Sequence, residues 1–463
     1  MALSPTFLET LGERLLPASL AGRAAPYLAL GDRLLTGEGD RAASLRMAGF
    51  AFSIRVASAA IGFFSQIVLA RVLGAFEYGI FSLVFVASLL GGGLACLGMQ
   101  TAALKFVATY RASGDLEGLR GILFASRLMA LVFASAAALL GGVVIWFAQD
   151  LVESFYLTPF VLALALLPLI ALSEVQDMLG RAFDSPDAAF LPTFIVRPAL
   201  LLGLMILAVT SGFGATAITA LVCGLLAVFL GVVWQAMQLA GPISRAAPKG
   251  ARRIELRNWM AVALPIFLVG GFFNLLTNVD VLILGYFVAP DQVAIYFAAA
   301  KILALVHFVP FAIKAAVQHR FAALHQSGDQ AGLAAFARDA VRWGFGPTAV
   351  LALFIGLCAP LILRLFGPGF DEAAPLVWVL IAGLVCRSAV GPAESLLTMV
   401  GQERICAIAY AFTLAVNVTL NILLIPRFGL WGAAVATATA MVVEAIVLWV
   451  VARRRLGFSV FVI

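Results

Sequence analysis

Several ionisable residues lie inside long apolar runs, and their spacing is where chemistry can begin. Arg387, Gly391, Glu394 and Thr398 fall at i, i+4, i+7 and i+11. On a helix they form one polar stripe on an otherwise apolar surface. Arg55, Ser58, Gly62 and Gln66 fall at i, i+3, i+7 and i+11 of another run. Asn274, Thr277, Asn278 and Asp280 make a broader polar arc, and Asn417 and Asn421 sit one turn apart. Arg127, Arg197, Lys301, Glu174, Asp177 and Glu444 are further charges in such runs. A charge at the centre of a bilayer costs about 2.5–3.5 kcal/mol on insertion scales. Each therefore requires an ion pair, water or an anionic ligand. Guanidinium holds phosphate through paired N–H bonds. Arg55, Arg197, Lys301 and Arg387 are thus the candidate cations for a phosphorylated ligand in a wet cavity. Arg127, Gln66, Asn274 and Asn278 are secondary binding candidates. Asp280, Glu394, Glu444, Glu174 and Asp177 are candidate carriers of a coupling proton or sodium ion. A blander reading stands beside this one. Arg127 can snorkel, Glu174, Asp177 and Arg181 can form a local salt-bridge ladder, and the asparagines can hold helices together.

The composition says what must position these side chains. Of 463 residues, 63% are hydrophobic and 12% charged, with a mean hydropathy of +1.07. Soluble domains carry roughly 25% charge, so this is an integral membrane chain. Its apolar runs are continuous rather than alternating, which excludes a strand barrel. Twelve helical spans are expected, near 48–69, 79–103, 122–147, 157–178, 190–209, 216–237, 259–286, 292–315, 343–365, 374–399, 405–425 and 430–452. Each approaches the ~20 residues that a helix needs to cross.

With the amino terminus inside, 22 of the 30 Lys and Arg fall in cytoplasmic segments and 3 outside. That bias predicts an even span number and two cytoplasmic termini. The same bias explains the net charge of +6 without nucleic acid. Residues 1–46 lack the pattern of a signal peptide. They read as a cytoplasmic extension, either an amphipathic helix on the membrane or a disordered tail. A basic cytoplasmic linker, 242–258, separates residues 47–241 from 259–452, and 453–463 form a cytoplasmic tail. The two membrane parts have 195 and 194 residues. Phe213-Gly214 and Phe428-Gly429 match at an offset of 215, as do Ile80-Phe81 and Ile295-Tyr296. The expected architecture is all-α, two six-helix pseudo-symmetric lobes facing one central cavity.

Other chemistries find no support. There is no phosphate loop, HExxH or GxSxG pattern. His307, His319 and His325 lack ligand spacing, and the five cysteines lie in apolar runs without metal-type spacing. No enzyme, metal or cofactor is expected beyond the coupling ion. Six intramembrane prolines, from Pro168 to Pro392, are candidate bending points.

Four segments carry a family resemblance: Leu69–Gly79 (LARVLGAFEYG), Asn278–Gly285 (NVDVLILG), Leu365–Phe370 (LFGPGF) and Asn421–Ala434 (NILLIPRFGLWGAA). In order and placement they resemble the Wzx-type polysaccharide flippases of the multidrug/oligosaccharidyl-lipid/polysaccharide exporter superfamily. The resemblance covers roughly residues 45–455 and implies a MATE-like fold with a V-shaped cavity. It implies translocation of an undecaprenyl-diphosphate-linked oligosaccharide to the periplasmic leaflet of a bacterial inner membrane. That step would serve lipopolysaccharide O-antigen, capsule or exopolysaccharide biosynthesis. The implied partners are the lipid-linked oligosaccharide, membrane lipids, a polysaccharide polymerase and glycosyltransferases. A lipid II flippase or a drug or cation exporter of the same superfamily is the alternative. A polyprenyl-sugar polymerase is disfavoured by the short outside loops.

Overall fold

The computed structural model describes the backbone of residues 40–151 and 153–462, and side chains from residue 58 onward except those of 151, 186, 315 and 319. By contacts the chain divides into residues 1–61, helical from Asp40 where described, and residues 62–463. The expectations for residues 1–39, and for the Arg55 side chain, lie outside the described residues.

Helix α1 is Asp40–Ala95, α2 Met99–Ser113, α3 Leu116–Ala148 and α4 Ser154–Ala182. Helix α5, Pro186–Leu191, passes through a π turn at Pro192–Val196 into α6, Arg197–Thr210. Helix α7 is Ala217–Ala246, α8 Leu256–Leu276, α9 Val279–Phe287 and α10 Pro290–Val306. Then come α11 Phe308–Gln326, α12 Gln330–Arg364, α13 Ala374–Ser388, α14 Ala393–Met399, α15 Glu403–Phe428 and α16 Leu430–Leu456. Asp115, Thr216 and Asp329 cap α3, α7 and α12, each accepting from the N–H three residues on.

Among the described residues ten segments are long and apolar enough to cross a membrane, two of them made of consecutive helices (α5–α6 and α13–α14), or eleven if the α10–α11 pair, bent by 40°, counts as one span. The expected twelve are not reproduced as separate helices. The first two expected spans fall largely in α1, where Gly74 (φ 76°, ψ 167°) breaks the helical backbone without ending the helix. Only glycine takes that φ without strain. Three other expected spans are interrupted. The seventh breaks at Thr277-Asn278, the eighth at His307 and the tenth between Ser388 and Ala393. At the first of these, Thr277 Oγ1 donates to the Phe273 and Asn274 carbonyls and Asn278 Nδ2 donates to Asn274 O. These side chains replace donors that the broken helix lacks, as lipid requires.

Helices α2–α7 contact chiefly one another, as do α10–α16. Among the described residues, contacts between the two halves of the chain include two zones built on α1 and on α8. In one, Arg71 donates from Nε to Leu365 O (2.7 Å) and from Nη2 to Arg364 O (2.9 Å). Beside it Phe63 meets Phe366 edge-on. Helix α1 also touches the start of α10, where a Cβ on Gly79 would lie 1.7 Å from Pro290 O. In the other zone the Arg253 N–H donates to Glu117 O, and the fully buried Trp259 donates to Tyr110.

Two boundaries differ from expectation. The non-helical part of the basic linker is only 247–255, because Pro242 and Arg245 continue α7. Arg453, Arg454 and Arg455 continue α16, after which the chain folds back. Val460 is buried, and the Val462 N–H donates to Ala389 O at the α13–α14 break.

Candidate functional site

The helix breaks surround a cavity of ≈ 500 Å³, and every lining residue falls between Phe273 and Glu444. Its charged lining is Lys301, Lys314 and Arg387 with Asp280, Glu394 and Glu444. The breaks explain how so many polar groups converge. Ending a helix in mid-membrane frees backbone groups and lets the next segment turn its polar face inward.

Arg387, from the last turn of α13, donates through Nε to Glu444 Oε1 on α16 at 2.8 Å, and its Nη2 lies 2.8 Å from the same oxygen. Lys314 on α11 donates to Glu394 on α14 at 3.0 Å. Lys301 on α10 has no carboxylate within 4.0 Å among the described residues. Its Nζ instead stands 4.5 Å from the centroid of the Phe297 ring, where the negative face of the ring attracts an ammonium. Asp280, at the start of α9, has no Lys or Arg nitrogen within 4.0 Å among the described residues. Its Oδ2 accepts from Tyr296 (2.6 Å) and Thr437 (3.1 Å), and its Oδ1 from the Val281 N–H. Asn278 and Asn417 also line the cavity. Asn421 Nδ2 donates to the Asn417 backbone and side-chain oxygens, so these two asparagines bond within one helix.

The other candidates lie elsewhere. Arg197 does not line this cavity. It belongs to a polar cluster of α4 and α6, donating to Ser173 at 2.7 Å. In that cluster Asp177 accepts from Thr193 and Gln235 (2.6 Å). Among the described residues no salt bridge within 4.0 Å joins Arg181 to Glu174 or Asp177, and Arg181 lies over the Phe190 ring. Arg127 lines a separate groove on α3. Gln66 accepts from Tyr78 across the Gly74 break, and Asn274 is exposed outside the cavity lining. Of the four primary cations, the structure therefore brings two together, Lys301 and Arg387.

Sequence reasoning missed Lys314, Tyr296 and Thr437. Lys314 lies within the eighth expected span, and counting it with the basic loops hides its depth. Tyr296 and Thr437 carry no charge, so nothing in the sequence ties them to Asp280.

Comparison with known proteins now bears on this geometry. The first structural neighbour, an inward-facing MATE-family multidrug transporter of the MOP superfamily, superposes with a TM-score of 0.69. It is 19% identical and covers 86% of this chain and 93% of its own. The fold is that of the MATE transporters. The MatE family model matches residues 265–423, which hold most of the cavity lining of this MATE fold. Two curated relatives are similar, both from Haloferax volcanii. The probable flippase AglR is 34% identical over 179 residues, 36% of each chain. The probable low-salt glycan biosynthesis flippase Agl15 is 24% identical over 258 residues, 54% of this chain and 52% of its own. The chain thus matches about half or less of these relatives' length. With its apolar helices and MATE fold, it is a multi-pass membrane protein.

Proposed function

We propose that the chain is a flippase that carries an undecaprenyl-diphosphate-linked oligosaccharide across a bacterial inner membrane by alternating access. On this reading the glycan feeds O-antigen, capsule or exopolysaccharide synthesis, beside glycosyltransferases and a polymerase. The linker and both termini would face the cytoplasm, where the basic residues concentrate. Helices before and after the linker would act as two lobes.

One observation carries the reading: Lys301, with no carboxylate within 4.0 Å among the described residues, lines a cavity deep among the helices. An ammonium so placed calls for an anion. Arg387 is the second ligand for phosphate, in competition with Glu444. A proton arriving at Glu444 would release the guanidinium to the phosphate, and proton loss would reclaim it. Asp280, Glu394 and Glu444 are the candidate carriers of the coupling proton or sodium ion. The similarity to two proteins named as flippases supports the cargo class.

Lys301→Ala should lower surface polysaccharide while leaving the protein in the membrane. Lys301→Arg should retain most export. Unchanged export in Lys301→Ala would remove the cation from the site. A deletion strain should accumulate its lipid-linked oligosaccharide on the inner leaflet.

A second reading is export of a drug or cation. The three cavity carboxylates favour it, and among the described residues Asp280 forms no salt bridge within 4.0 Å. Raised resistance to cationic drugs on overexpression, lost in Asp280→Asn, would establish that reading.

A further inference from the structure

A second concavity, ≈ 580 Å³, lies apart from the main cavity, between α3, the end of α7 and the linker. Four cations line it, Arg120, Arg127, Lys249 and Arg252, and no acid does among the described residues. The contrast with Arg253 is instructive. That neighbour is paired with both Asp115 and Glu255, and neither of these acids lines this concavity. Arg120 holds the linker itself, donating to Pro248 O and Ala251 O. Arg127, seven residues along the same face of α3, has a buried Nε without any hydrogen-bond partner. Arg252 lies over the Phe124 ring at 4.4 Å, and Lys249 is exposed at the mouth.

The walls say which anion fits. Phe124 and Leu128 line the groove and are exposed. Beyond them the outer face of α3 continues apolar through Val132, Leu139 and Val143, all exposed. An acyl chain laid along that face would be covered, and its phosphate would reach the four cations. A free anion would leave the apolar wall bare.

We propose that this groove binds an anionic phospholipid of the leaflet on the linker side, with its phosphate held by Arg127, Lys249 and Arg252. Bound there, the lipid bridges α3 and the linker. Basic pockets between membrane helices bind lipid phosphates in this way, at about a five-fold gain in affinity per cation.

The test uses the full-length protein in detergent micelles, titrated with phosphatidylglycerol, phosphatidylcholine or inorganic phosphate. Thermal unfolding and native mass spectrometry are the readouts. Phosphatidylglycerol should raise the unfolding temperature and remain bound at roughly ten-fold lower concentration than phosphatidylcholine. Inorganic phosphate should do neither. Arg252→Gln should weaken phosphatidylglycerol retention roughly five-fold and Arg127→Gln with Lys249→Gln roughly 25-fold. Arg404→Gln, an exposed cation outside the groove, should have no effect. Equal binding of phosphatidylcholine would overturn the proposal. An equal response to inorganic phosphate would make the groove a free-anion site. An equal loss in Arg404→Gln would reduce the effect to general surface charge. Arg252 is exposed, so Arg252→Gln carries the test if the double variant does not fold.

Discussion

Arg387 and Glu444 show what a buried charge pair does for a membrane protein. Their side chains are 18% and 5% exposed. Such a pair is worth little against an apolar replacement, yet stranding one partner is costly. Glu444→Leu should therefore destabilise by about 3 kcal/mol, and Arg387→Met in the same chain should restore most of it. Thermal unfolding in detergent reads the stability, and surface polysaccharide should stay low in the double variant, which lacks the guanidinium. Arg387 and Glu394 were legible as deep charges, but the single helical stripe expected for them is cut by the α13–α14 break, which puts them on two helices around one cavity. Their partners, Glu444 and Lys314, were not assigned, because spacing along a helix says nothing about which other helix packs against it. The same limit separates Arg197 from Lys301. Each is a deep cation in sequence, and only packing sends one to Ser173 and the other to the cavity.

Among the elements, the short linker behaves as a clasp. Arg253 joins the cap of α3, Asp115, to the residue before α8, Glu255. The Gly118 N–H, and then Arg253, hold the Asp115 carboxyl below its ordinary value. Asn258 and Arg253 do the same for Glu255. A lowered carboxylate pKa stabilises the fold above the ordinary value and loses that contribution as pH falls through the lowered one. The unfolding temperature should thus be flat from about pH 5 to 8 and fall below about pH 4. In Arg253→Gln the acid fall should be shallower, measured by the same scan. The existence and order of most helices were legible from apolar run length. Pro392, a candidate bending point in the sequence, stands at the α13–α14 break, but the other two breaks were not legible, because Thr277, Asn278 and His307 sit within runs that remain apolar on average. The turn at Gly74 was hidden differently, since one glycine redirects α1 without interrupting its hydrophobicity.

Across the whole molecule, the halves of the chain meet at Gly79 and Pro290 and again at Tyr110 and Trp259, and the alternating access proposed above would open one of these contacts. Gly79 marks the first contact, since its missing side chain lets α1 touch the first turn of α10. Gly79→Ala should prevent that closure. A thiol from Ala298→Cys, buried here, in a chain otherwise free of cysteine, should then react faster with a membrane-impermeant reagent, while export falls. The opposite zone has another consequence. Trp259 and Ala263 open the second half of the chain, yet they are buried in one cluster with Met99, Ile122 and Val175 of the first half. Covalent continuity through 248–251 is then not what keeps the halves paired. Two polypeptides severed there and made together should find each other and work, whereas a cut after Trp259 would leave the indole on one fragment and the rest of its helix on the other.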